Sequence, residues 1–74
     1  MPRITAAHWA GLQARRLTHI QHGPCHLTLS LDRSLFILSG PRGDHTLLAD
    51  ATPLARLNAH WRGFVTDAQG GRHA

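Results

Sequence analysis

From Cys25 to Leu31 the side chains alternate without a break: Cys25, Leu27, Leu29 and Leu31 fall on one side of an extended chain, His26, Thr28 and Ser30 on the other. Such a strand is half-buried, so it requires pairing partners for its backbone and a hydrophobic cover for one face. The residues that follow supply the partners. Asp32-Arg33-Ser34 forms a tight reversal, and Leu35-Phe36-Ile37-Leu38 is apolar on both faces, as in a central strand partly covered on its second side. Gly40-Pro41-Arg42-Gly43 turns the chain again, with Pro at the second turn position and Gly at the fourth, and a third strand is expected over His45 to Ala49.

Helical patterns on either side supply the cover. Thr5 is a capping residue before Ala6-Ala7-His8, and Gly23-Pro24 is a stop, so the first helix is predicted over 5–22. Trp9, Leu12, Leu17 and Ile20 share one arc of that helix, but Gln13 and Arg16 interrupt it. The alternative reading ends the helix near Leu17 and leaves Thr18 to His22 extended, which β-branched Thr18 and Ile20 favour. A second helix is predicted from a Thr52 cap and Pro53, with Leu54, Leu57 and Trp61 as its apolar face, Gly63 as its end and Phe64 folded back on that end. The expected fold is α+β: a three-stranded antiparallel β-meander flanked by an N-terminal and a C-terminal helix, in the order α-β-β-β-α, both helices on one face. Residues 1–66 would form the single domain and 67–74 a flexible tail without an apolar anchor.

Size sharpens this expectation. Seventy-four residues hold one core and no second one, built from eleven leucines, three isoleucines, two phenylalanines, two tryptophans and a valine. Small domains commonly add a disulfide, a metal or a partner subunit. Cys25 is the single cysteine, which removes an internal disulfide and fits a reducing compartment, the cytoplasm. No run of about 18 to 20 apolar residues is present for a membrane span, and the start of the chain at Met1 lacks a signal-peptide layout, so a whole small cytoplasmic gene product is expected.

The charge pattern is one-sided in kind. All eight basic residues are arginine and all four acids are aspartate, with a formal net charge of +4. Codon use in a GC-rich genome would produce this. So would a role for the planar guanidinium, which suits phosphate and carboxylate better than ammonium does. Positive charge favours polyanionic partners through long-range attraction.

Catalytic chemistry finds little support in the pattern. His19, His22, Cys25 and His26 place four potential zinc ligands within eight residues, but no second pair with ligand spacing completes a site. A Cys25 nucleophile would need an oriented histidine, and adjacent His26 points to the opposite side of the strand. Asp44 and Asp50 stand at opposite ends of the third strand, too far apart for paired-carboxylate work. Gly40-Pro41-Arg42-Gly43 lacks the lysine and following helix of a phosphate-binding loop. The expectation is therefore a non-enzymatic protein that needs no cofactor.

Two binding readings lead, with a His/Cys zinc-binding protein, its site completed singly by His45 or His60, as a lesser alternative. In the first, a basic module contacts nucleic acid, or a complex that handles it, through Arg15, Arg16, Arg33, Arg42, Arg56, His60 and Arg62. In the second, a small regulator or inhibitor docks on a partner protein, or pairs with a second copy, through an apolar strip on the sheet. One face of the sheet would be left open by the helices. It would carry His26, Thr28 and Ser30 with either Phe36 and Leu38, taken as the interface pair, or Leu35 and Ile37.

Overall fold

The computed structural model describes residues 3–68. Helix α1 spans Ala6–Gln13, strands β1 to β4 span Ile20–His22, Cys25–Leu29, Leu35–Gly40 and Gly43–Leu48, a 3-10 turn covers Ala49–Ala51, and helix α2 spans Leu54–Ala68. The strands form one antiparallel sheet in the order β1-β2-β3-β4. The α+β architecture with two helices is as expected, but the meander has four strands, not three.

The extra strand arises where the first helix stops early. Thr5 caps α1: its hydroxyl accepts from the His8 amide at 3.1 Å, and the His8 ring nitrogen Nδ1 accepts from the Thr5 amide at 3.3 Å. The helix closes after Gln13 because Arg15 adopts φ 62, the left-handed conformation of a helix stop, and the amides of Arg15 and Arg16 bond back to the carbonyls of Leu12 and Gly11. Arginine is unusual there. Its guanidinium donates to the carbonyls of Leu29 (2.9 Å), Ser30 and Leu31 (3.0 Å), which ties the helix end to the β2–β3 turn and holds the strained residue. Gly11 matters to the same closure, because a Cβ there would lie 2.9 Å from Cγ and Cδ1 of Leu17. Leu17 thus packs across the glycine, and after a bend at Thr18 the chain enters β1 at Ile20. Ile20 pairs with Leu27 and His22 with Cys25.

Cys25, Leu27 and Leu29 are buried as the alternation requires, but Leu31 is 94% exposed. The strand ends at Leu29 because Ser30 already belongs to the turn. Its amide bonds to the Leu35 carbonyl, and the Arg33 amide, at φ 63, bonds to the Ser30 carbonyl. Asp32 organises this turn by accepting from the Ser30 hydroxyl (2.8 Å), the Ser34 amide (3.0 Å) and the Ser34 hydroxyl (2.6 Å). The Ser34 hydroxyl and amide, and then the Ser30 hydroxyl, pull its carboxyl down to about 2.

β3 continues to Gly40, where the missing Cβ makes room for the Phe64 ring and the Cys25 sulfur, 3.1 and 3.4 Å from where it would stand. β4 begins at Gly43 and ends at Leu48, where the 3-10 turn takes over at Ala49. The Thr52 hydroxyl donates to the Leu48 carbonyl at 2.6 Å, fixing that turn. Helix α2 does not end at Gly63 and takes in Asp67 and Ala68. The stripe of Leu57, Trp61, Phe64, Val65 and Ala68 continues beyond the glycine and gives the helix reason to run on against the core. The rest of the expected tail, 69–74, lies outside the described residues.

Ile4, Leu12, Leu27, Leu29, Phe36, Leu38, Leu57, Trp61 and Val65 make the core between the helices and one sheet face. Trp9 packs on Phe36 with ring centroids 5.3 Å apart. Asn58 clamps the N-terminal segment to α2, accepting from the Ile4 amide at 2.6 Å and donating to the Ile4 carbonyl at 2.9 Å.

Candidate functional site

Both helices pack on the same side of the sheet, so its other side is uncovered among the described residues. Register assigns the residues to that side. Gln21, His26, Ser39 and Asp44 form one cross-strand row, Thr28, Ile37 and Thr46 the next, and Leu35 with Leu48 the third. Ile37 and Leu35 are half-buried and Leu48 is 64% exposed, so three large apolar groups stand together on an otherwise polar surface. His19 joins this face through its ring, 5.4 Å from that of His26.

Phe36 and Leu38 are not at this surface. Both are fully buried under the helices, and the apolar pair on the open face is instead Leu35 and Ile37. The reason is parity: Phe36 pairs with Leu29 and Leu38 with Leu27, the two positions through which β2 meets the core. Leu48 was missed. Its place follows from the register Leu35↔Leu48, which a strand beginning at Gly43 reveals.

The arginines are spread out. Arg15 is engaged with three carbonyls. Arg16 is exposed just after α1 and Arg33 in the β2–β3 turn, whereas Arg42 sits in the β3–β4 turn at the opposite end of β3. Arg56, His60 and Arg62 are exposed on α2. Arg56 and His60 are one helical turn apart and share a face, while Arg62 is rotated by about 120° from Arg56. A guanidinium nitrogen of Arg56 also lies 3.4 Å from the Ala51 carbonyl.

One groove does gather predicted residues. Between β4 and α2 a space of about 440 Å³ is lined by Arg42, His45 and His60, with Asp44 and Asp67 among the other lining groups. Its charge is therefore mixed. A second, more apolar hollow of about 630 Å³ lies between the N-terminal segment and the start of α2.

The His/Cys cluster is divided by the sheet. His19 and His26 are on the open side, while Cys25 and its register partner His22 belong to the helix side. Among the described residues no three His, Cys, Asp or Glu side chains converge as a metal-holding group. Burial pushes the Cys25 thiol up, opposite to the direction a nucleophilic thiolate requires. Among the described residues, no helix is long and apolar enough to cross a membrane.

Comparison with known proteins leaves these surfaces to be read on their own chemistry: no family model, no curated protein and no solved structure matches the chain.

Proposed function

We propose that this chain is a non-enzymatic binding module of the cytoplasm that docks on a partner protein through the uncovered face of its sheet, as a small regulator or inhibitor would. The observation that carries the reading is the apolar group Leu35, Ile37 and Leu48 on a face that neither helix covers. In a chain with so small a core, covering such a group yields about 1.5 to 3 kcal/mol per fully buried side chain, before the costs of association.

Nucleic-acid contact through arginines is the second reading, favoured by the net charge of +4 and by Arg42, His45 and His60 around one groove. It ranks second because Arg15 is engaged internally and Asp44 and Asp67 offset the groove's charge. Salt and nuclease separate the two. Phosphate contacts weaken steeply with ionic strength, whereas an apolar interface does not. Affinity purification from the native host should retain a protein partner after nuclease treatment and a high-salt wash. Loss of all bound material under either treatment would favour nucleic acid.

A further inference from the structure

We propose that the chain forms a two-fold homodimer by pairing the outer edge of β4 with the same edge of a second copy, making one continuous eight-stranded sheet. The edge itself is the first observation. β4 is the last strand in the sheet, six residues long, and all its residues except Leu47 are exposed. It carries neither proline nor lysine, the residues that commonly block edge pairing. β1, the opposite edge, has only three residues.

Hydrogen-bond parity identifies the groups on offer. The Ala49 amide donates to the Ser34 carbonyl at 2.9 Å, and Gly40 pairs with Gly43 across a two-residue turn. Odd-numbered residues of β4 therefore bond to β3, and the backbones of Asp44, Thr46 and Leu48 face outward. Thr52 engages the Leu48 carbonyl, which leaves the amides of all three residues and the carbonyls of Asp44 and Thr46 directed at the edge.

Charge selects a second copy and sets its register. If Thr46 opposes Thr46 of the second copy across the two-fold axis, Asp44 opposes Leu48, His45 opposes Leu47, and Arg42 opposes Asp50, each pair occurring twice. Arg42 and Asp50 are both exposed, just beyond the two ends of the strand. A shift to His45 opposite His45 would set Asp50 against Gly40, and a shift to Leu47 opposite Leu47 would set Asp44 against Asp50. Of these three registers, only that of Thr46 joins opposite charges. Space allows it as well: α2 packs over β2 and β3, set back from the edge, so at ~4.8 Å per strand the two copies' helices stand clear of each other.

Sedimentation at tens of micromolar should show a dimer, and a monomer at those concentrations would overturn the proposal. Thr46→Pro removes an outward amide and leaves the β3 pairing intact, so it should give a folded monomer, and a Thr46→Pro dimer would count against the edge. A charge swap tests the register without touching the backbone. Arg42→Asp alone and Asp50→Arg alone should each weaken dimerisation about tenfold, and the two together should restore it. If the double variant were as weak as the singles, the paired register would be wrong.

Discussion

Leu35 and Ile37 differ from Phe36 and Leu38 in little but parity, yet the second pair is at the centre of the core and the first faces outward. Both pairs belong to the same central strand. What separates them is where two short helices reach, and the helices reach one side only. Apolar character in a strand therefore states that burial is available, while the cover that realises it comes from elsewhere in the chain.

The comparison is tested most severely by truncation. Phe36→Ala should destabilise the fold by about 3 to 5 kcal/mol, while Ile37→Ala should cost about 1 kcal/mol, both read by chemical denaturation. Equal losses would mean that the open face is covered as well. Asn58→Ala removes both bonds to the Ile4 backbone and should cost about 2 kcal/mol; near-wild-type stability would show that the N-terminal segment adds little to the covered side.

Two glycines sharpen the contrast with opposite signs. Gly11 lies under Leu17 on the inner side, so Gly11→Ala should destabilise by about 1 kcal/mol in spite of alanine's helix preference. Gly63 is exposed on α2 beside the β4 groove, with nothing within 4 Å of a Cβ, so Gly63→Ala should stabilise by about 0.5 to 1 kcal/mol. Thermal unfolding of the two variants should move in opposite directions.

The smallest effect concerns acid. Asp32 is held at about 2 in the fold, below the ordinary carboxylate value of about 3.9. Its contribution is present above that ordinary value and is lost as pH falls toward 2. Asp32→Ala should flatten the pH dependence of stability between those limits. An unchanged acid limb would show that the Ser30 and Ser34 bonds are not coupled to folding.

The central sheet was legible because its signals are local. Alternation set β2, two turn sequences set the reversals, and the Thr5 cap set the start of α1. The helix ends were not legible, and the reason lies in tertiary contacts. Arg15 stops α1 in a conformation where glycine is the usual signal, held by carbonyls from a turn fourteen to sixteen residues away. Gly63 reads as a stop, yet Phe64, Val65 and Ala68 have a core to reach. The candidate site inherited the same gap: sequence showed that β3 has one apolar pair too many, and only its pairing with Leu27 and Leu29 decides which pair is spare.

Whether the spare pair is a docking surface is decided by comparing three baits in native-host extract: the wild type, Leu35→Thr with Ile37→Thr, and Arg56→Ala with Arg62→Ala. Threonine keeps strand preference while removing most of the apolar surface, and circular dichroism would confirm that each variant is folded. The wild type and the arginine variant should retain the same nuclease-resistant protein partner, and the threonine variant should lose it. Retention by the threonine variant with loss by the arginine variant would rule out docking through the open face and return the function to the basic surface.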